Sequence, residues 1–320
     1  MTGKQVVEIV DLSPFTDGLE RSEQSKEEVL RAWDRAFSTL GFAVITGHGV
    51  PLEAIADIQK NARNFFGQEM KVKMRSCLKS GYGKGGFLPM GGESVSRSRD
   101  SQDEKPPDIV ESLCFLQDGT GNDVIPDTPV TMKDSVQRYC KHMQKLLSVV
   151  MEISALALGL KRNFFVPFFS SPQNGFRLAY YPAQENEKPK PNQIRYGAHT
   201  DYTGFTLLRP DDQVGGLEIL LPNTLKWIPV DITENCYIVN AGDLIQQWTN
   251  DHWISNLHRV INPPPELCHK SRLSVVYFTG PNKDAQIEPI PECCSAENPP
   301  KYDPVNAGEF LDAKLASTSL

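Results

Sequence analysis

Apolar residues return every three or four positions along the first half of the chain and every second position along much of the second half. Val29, Trp33, Ala36, Phe37 and Leu40 fall on one helical face ahead of Gly41, and Ser25-Lys26-Glu27-Glu28 before them has the form of a capping box. The same period over Ile55, Ile58, Ala62 and Phe65 predicts a second helix from about Leu52 to Gln68, and a third, the longest, runs from roughly Thr131 to Leu160. A short strand is expected over Val6 to Leu12. From Phe176 onward, β-rich runs alternate with turn clusters: Phe176 to Tyr181, Gln193 to Asp201, Thr203 to Leu208, Gly216 to Leu220, Trp227 to Ile228, Tyr237 to Asn240, Ile245 to Gln247, His258 to Ile261 and Leu273 to Thr279. Many short strands divided by turns form a barrel or a jelly roll.

Composition modifies this picture in one place. Gly81 to Gly92 carries six glycines and leads through Ser94-Val95-Ser96-Arg97-Ser98 to Pro106-Pro107. Such a segment buries little apolar surface, so 81–107 is expected to be a mobile loop, either a plain surface loop or a lid over a site. Its glycine spacing matches neither common nucleotide signature. The reading is one unit over 1–320, with a largely helical part at 1–165 and a catalytic core at 176–280.

Charge and cysteine usage exclude several functions. A net charge of −7 and a pI near 5.5 argue against a nucleic-acid partner, which would need clustered positive charge. Polar residues, Glu152 among them, interrupt the richest apolar stretch well short of the roughly 20 residues that span a bilayer. No signal core follows Met1, so the expectation is a cytoplasmic protein with a small-molecule substrate and reduced thiols at its seven cysteines. Nothing in the chain sets an oligomeric state.

The chemistry concentrates in a few residues. On a strand, alternate side chains share a face, so His199 and Asp201 point together while Thr200 points away. His258 follows 57 positions after Asp201, at the end of a segment that can return antiparallel. Two imidazoles and a carboxylate suit an octahedral Fe(II) with three positions open. Arg272 and Ser274 alternate in the same way, and a guanidinium beside a hydroxyl receives a carboxylate. Arg195, four positions before His199, shares its parity, as Arg177 shares that of Tyr181. Inward arginines need anionic partners, either a substrate carboxylate, which would make Arg195 and Arg177 substrate contacts, or a Glu or Asp of the fold. Glu111 reads as half of a structural pair, and His48, His142, His252 and His269 as structural or exposed.

Gly197-Ala198-His199-Thr200-Asp201, Asn256-Leu257-His258-Arg259-Val260 and Arg272-Leu273-Ser274 resemble the iron(II)/2-oxoglutarate-dependent dioxygenases of the isopenicillin N synthase-like group. Leu40 to Val50, Ala62 to Lys73, Leu178-Ala179-Tyr180-Tyr181-Pro182 and Asn240-Ala241-Gly242-Asp243-Leu244 extend the likeness over nearly the whole chain. It departs from the group at Gly47 and Ala179, where Asn is frequent. The resemblance implies a mainly β fold with flanking α-helices around a double-stranded β-helix (jelly-roll) core. It also implies Fe(II) on His199, Asp201 and His258, the cosubstrate 2-oxoglutarate on Arg272, Ser274 and Tyr181, and consumption of O2. The expected reaction is hydroxylation, desaturation or oxidative cyclisation of a small carboxylate-bearing metabolite in biosynthesis. A neutral nucleobase or natural product as substrate, an iron oxidase independent of 2-oxoglutarate, and a non-catalytic metal-binding barrel stand as alternatives.

Overall fold

The computed structural model describes residues 7–18, 22–77, 85–92, 106–117, 124–186, 188–210 and 214–318. Its first third alternates strands and helices: β1 (Glu8–Asp11), α1 (Ser13–Thr16), α2 (Glu23–Thr39), β2 (Phe42–Thr46), α3 (Leu52–Phe66), α4 (Met70–Lys73), β3 (Gly86–Leu88) and β4 (Glu111–Gln117). The long helix α5 (Met132–Ala157) leads into β5 (Asn174–Tyr181), β6 (Tyr196–His199), β7 (Phe205–Arg209), β8 (Leu217–Leu220), β9 (Trp227–Pro229) and β10 (Tyr237–Ala241). Then come α6 (Asp243–Trp248), β11 (His258–Val260), β12 (Arg272–Phe278), the small hairpin β13 (Gln286–Ile287) with β14 (Val305–Asn306), and α7 (Ala307–Thr318).

Two sheets enclose the site. The larger has the order β1-β2-β10-β7-β12-β5-β4-β3 and the smaller β6-β11-β8-β9. Among the described strand pairs in them, only β1–β2 is parallel. This is a jelly-roll core, and alternation along its strands sorts two environments. On β12, Leu273, Val275 and Tyr277 face outward into the main core with Phe176 and Leu178 of β5. Ser274, Val276 and Phe278 face inward with Arg177, Ala179 and Tyr181. Helix α5 supports the outward face, burying Val136, Tyr139, Met143, Leu147 and Val150 at helical spacing. Helix α2 is tied to it by the Trp33 indole, which donates to Ser154 Oγ at 3.1 Å.

Several expectations change. Ser22, not Ser25, caps α2: its hydroxyl accepts from Ser25 N at 3.2 Å, so the helix starts one turn earlier than the capping-box pattern implied. Residues 245–247 lie in α6 rather than a strand, because Gly242-Asp243 opens a helical turn whose first amides bond Asp201 O, Tyr202 O and Thr203 O. The N-terminal part also contributes strands, since β1–β4 all join the larger sheet. Residues 86–88 of the expected loop form β3. Its parts 81–84 and 93–105 lie outside the described residues, and the lid reading with them. No helix among the described residues is long and apolar enough to cross a membrane. The departure at Gly47 has a steric cause: φ is +59°, and a Cβ there would stand 2.2 Å from Asp11 Oδ1.

Candidate active site

The expected strand over 193–201 is shorter in the structure, ending at His199, and Asp201 lies just beyond it. Convergence survives because β6 and β11 pair antiparallel with His258 directly opposite His199. Their rings lie 4.2 Å apart between centroids, and the Nε2 atoms of His199 and His258 stand 3.7 and 3.9 Å from Asp201 Oδ1. One donor atom from each residue lies within 4.8 Å of the other two.

Each donor is oriented from behind. His199 Nδ1 lies 2.9 Å from Gly197 O and His258 Nδ1 3.2 Å from Asn256 O, so the protonated nitrogen bonds backbone and Nε2 presents its lone pair to the centre. Asp201 Oδ2 accepts from Thr206 Oγ1 at 2.5 Å and Asn240 Nδ2 at 2.6 Å, leaving Oδ1 for a cation. Burial and the neighbouring His258 push His199 down to about 3, which keeps it neutral and able to ligate. Burial alone would raise the Asp201 pKa, but the attraction of His258 and His199 and the two hydrogen bonds hold it below the usual carboxylate range. Two imidazoles that turn Nε2 to the centre beside a carboxylate are the donor set that Fe(II) takes. The residues fit the ion.

Beside this centre lies a cavity of about 430 Å³ between the sheets, lined by the triad and by Tyr181, Ser274 and Arg177, among others. Arg272 is fully buried behind Ser274 and Tyr181, opposite Tyr181 in register, with its guanidinium 5.1 Å from the Tyr181 ring. It donates to Ser274 Oγ, while its Nε and Nη2 have no hydrogen-bond partner among the described residues. An orphaned buried guanidinium is costly, and a carboxylate would relieve it. That fits 2-oxoglutarate.

The two remaining arginines separate. Arg177 lines the cavity, its Nη1 donating to the Tyr196 hydroxyl at 3.2 Å and its guanidinium 5.1 Å from that ring. Arg195 is fully buried, does not line the cavity, and donates from Nη2 to Lys270 O at 3.1 Å with its guanidinium 6.0 Å from the Tyr181 ring. Arg195 precedes β6, where strand parity no longer governs. Glu111 pairs with Lys73 at 2.5 Å, both buried, away from the cavity lining. His252 meets Asp34, His48 meets Asn235, and His269 is exposed.

Comparison with known proteins agrees with this geometry. Residues 172–281 match the model of the 2OG-Fe(II) oxygenase superfamily, and residues 7–134 that of the non-haem dioxygenase in morphine synthesis N-terminal region. A full-length Neurospora crassa protein, solved in complex with α-KG, superposes with a TM-score of 0.87 at 31% identity, covering 99% of this chain and 98% of that one. The chain belongs to the iron(II)/2-oxoglutarate-dependent dioxygenases. Jasmonate-induced oxygenase 2 of Arabidopsis thaliana is 30% identical over 95% of this dioxygenase and 78% of its own length. The 2-oxoglutarate-dependent dioxygenase caaD of Aspergillus niger is 31% identical over 75% and 76%.

Sequence reasoning assigned no role to Thr206 or Asn240, which fix the Asp201 carboxylate, or to Tyr196, which steadies Arg177. It also gave none to the aromatic cavity residues Tyr202 and Phe278 or to Leu311 and Leu315 of α7. Asn240 had a visible signal in the Asn240-Ala241-Gly242-Asp243 turn, and Phe278 in the inward parity it shares with Ser274. The α7 leucines had none, because their place is set by how the C-terminal segment folds back.

Proposed function

We propose that this dioxygenase hydroxylates a small planar heterocycle of the nucleobase type, held beside the iron by Arg177 and the aromatic residues Tyr196, Tyr202 and Phe278. The observation that carries the reading is Arg177: it is the one arginine on the cavity among the described residues, and the Tyr196 hydroxyl and ring orient its flat fork of donors. One oriented guanidinium beside aromatic rings suits the carbonyl edge and π-face of a flat ring. The Neurospora crassa protein solved with both α-KG and thymine, at a TM-score of 0.87 and 30% identity, supports the same class.

His199, Asp201 and His258 would hold Fe(II), and Arg272 and Ser274, with Tyr181 beside them, would hold a carboxylate of 2-oxoglutarate. The chemistry that iron would supply there when bound is activation of dioxygen, coupled to decarboxylation of 2-oxoglutarate. The balance is substrate C–H, O2 and 2-oxoglutarate going to substrate C–OH, succinate and CO2. The protein's contribution is to position both ligands, exclude bulk water and orient one C–H bond of the substrate in the cavity beside His199, Asp201 and His258. Arg195 serves the packing around Tyr181 in this reading.

A carboxylate-bearing substrate is the second reading, favoured by the match of a guanidinium to a carboxylate. It loses one of the two arginines that first suggested it, since Arg195 is off the cavity. A panel of free pyrimidines and small carboxylic acids separates the two. Pyrimidine-stimulated succinate formation with a product one oxygen heavier is expected. Stimulation by carboxylic acids alone would replace the proposal with the second reading.

A further inference from the structure

The C-terminal helix α7 turns its apolar residues toward the cavity. Its start is fixed: Asn306 Oδ1 accepts from Gly308 N and Glu309 N at 3.0 and 3.1 Å, and Ala307 N and Gly308 N donate to Ala285 O and Lys283 O. A Cβ on Gly308 would stand 2.7 Å from Lys283 O, so this close approach requires glycine. Beyond that point the core contributes little, because among 307–316 only Ala307 and Gly308 are buried, with Phe310 resting on the core's edge. Leu311 and Leu315, one helical turn apart, line the cavity instead, with Asp312 beside them.

Two ion pairs reach the helix: Asp312 Oδ2 lies 3.9 Å from Lys283 Nζ, both well exposed, and a closer, less exposed pair lies nearer the far end. Lys314 Nζ lies 2.6 Å from Asp243 Oδ2, and 5.4 and 6.0 Å from the rings of Phe310 and Tyr202. Asp243 is rigid: its amide donates to Asp201 O at 2.8 Å and its Oδ1 accepts from Ser255 Oγ at 2.7 Å. The pair therefore ties α7 to the turn that carries a metal ligand. An element with few buried contacts, held by this pair and by the exposed Asp312–Lys283 pair, opens at low cost compared with the sheets.

We propose that α7 is the size filter of this cavity, with Leu311 and Leu315 as its outer wall and specificity-determining residues. Lys314 is the positioning residue that keeps the wall in place. Molecules reach the iron only as far as the two leucines allow, and weakening the tether admits larger ones. This filter does not depend on which small molecule is the substrate.

Cys114 provides a reporter that needs no substrate. It lines the cavity from β4, opposite Arg177 in register, and is in no disulfide. The full chain, loaded anaerobically with Fe(II) and 2-oxoglutarate, is treated with iodoacetamide or with the bulky N-(1-pyrenyl)maleimide. Labelling of the Cys114 peptide is followed by mass spectrometry, each rate normalised to that of glutathione with the same reagent. Wild-type protein should discriminate several-fold against the bulky reagent. Lys314→Met and the double variant Leu311→Ala/Leu315→Ala should lose most of that discrimination, and Lys314→Arg should restore it. Cys140 and Cys236, both buried, report the fold by staying unlabelled. Equal discrimination in wild type and both opened variants, or no labelling of Cys114 in any of them, would overturn the proposal.

Discussion

At the iron end of the cavity, side chains are placed by strand register and steadied from behind: His199 faces His258 across β6 and β11, and Thr206 and Asn240 grip the spare oxygen of Asp201. At the mouth, Tyr202 follows the metal ligand in a turn, Phe278 ends a strand, and Leu311 and Leu315 come from a helix anchored at one end and tethered at the other. The first region is overdetermined and the second is adjustable. A rigid metal centre preserves one reaction, while a mouth built from strand ends and a terminal helix can be refitted to new substrates without disturbing it.

The largest expected effect breaks the rigid end. His199→Ala, Asp201→Ala or His258→Ala should abolish turnover while circular dichroism and the thermal midpoint remain close to wild type, because the core packs on the opposite face of the larger sheet. Substantial activity at limiting iron in any of them would remove that residue from the metal site. Next is the cosubstrate end. Arg272→Leu removes a charge-assisted carboxylate contact of about 1.5–3 kcal/mol, or roughly tenfold to more than a hundredfold in 2-oxoglutarate affinity. An unchanged 2-oxoglutarate dependence would place the cosubstrate elsewhere.

A third variant probes the support behind a ligand. Asn240→Ala frees Asp201 Oδ2 to rotate, and loss of such a partner typically weakens metal affinity about 10–100-fold. Equilibrium Fe(II) binding measures it, and wild-type affinity would show that Thr206 suffices. On the substrate side of the cavity, Arg177→Leu should raise KM for the identified substrate while succinate still forms without it. A parallel fall in both reactions would make Arg177 part of the iron end instead.

How much of this was legible in the sequence follows the same division. The triad and the Arg272-Ser274 pair could be read because each combines residue type with a fixed interval, and strand geometry converts an interval into a shared face. The core helices were legible for the same reason, Trp33 and Phe37 recurring at helical spacing. Ile245-Gln246-Gln247 misled, since a short apolar run does not say whether the preceding Gly-Asp starts a helix. Strands β3 and β4 were hidden by the glycine-rich composition around them. Arg195 was placed by a parity that holds only inside a strand, and β6 starts one residue later. The C-terminal wall was invisible, because nothing local tells Leu311 that it will meet a cavity lined from β5 and β12.

The smallest expected effect lies far from both ends and checks that the fold's other histidines are structural. His252 Nε2 lies 2.7 Å from Asp34 Oδ1. The hydrogen bond that His252 donates to Asp34 raises the His252 pKa against the opposing pull of burial. Burial would raise Asp34, but hydrogen bonds from His252 and Trp253 lower it. The histidine's stabilisation is therefore fully present below its unfolded pKa, near 6.5, and lost as pH rises through its higher folded value. The carboxylate's is present above about 3.8 and lost as pH falls through its depressed value. Both groups are more than a third exposed, so His252→Gln should cost at most about 1 kcal/mol at pH 6 and less at pH 8. Denaturant unfolding at both pH values checks the sign, and a larger loss at pH 8 would contradict it.

The central claim is that one cluster of residues holds Fe(II) while a separate buried arginine holds 2-oxoglutarate. An anaerobic titration of wild type, His258→Ala and Arg272→Leu with Fe(II) and 2-oxoglutarate, read by the visible charge-transfer band and then by succinate on admitting oxygen, tests it most directly. The band and succinate should appear in wild type and vanish in His258→Ala. In Arg272→Leu the band should return only at much higher 2-oxoglutarate. A wild-type protein with no band, or a His258→Ala protein that keeps both band and succinate, would contradict the account.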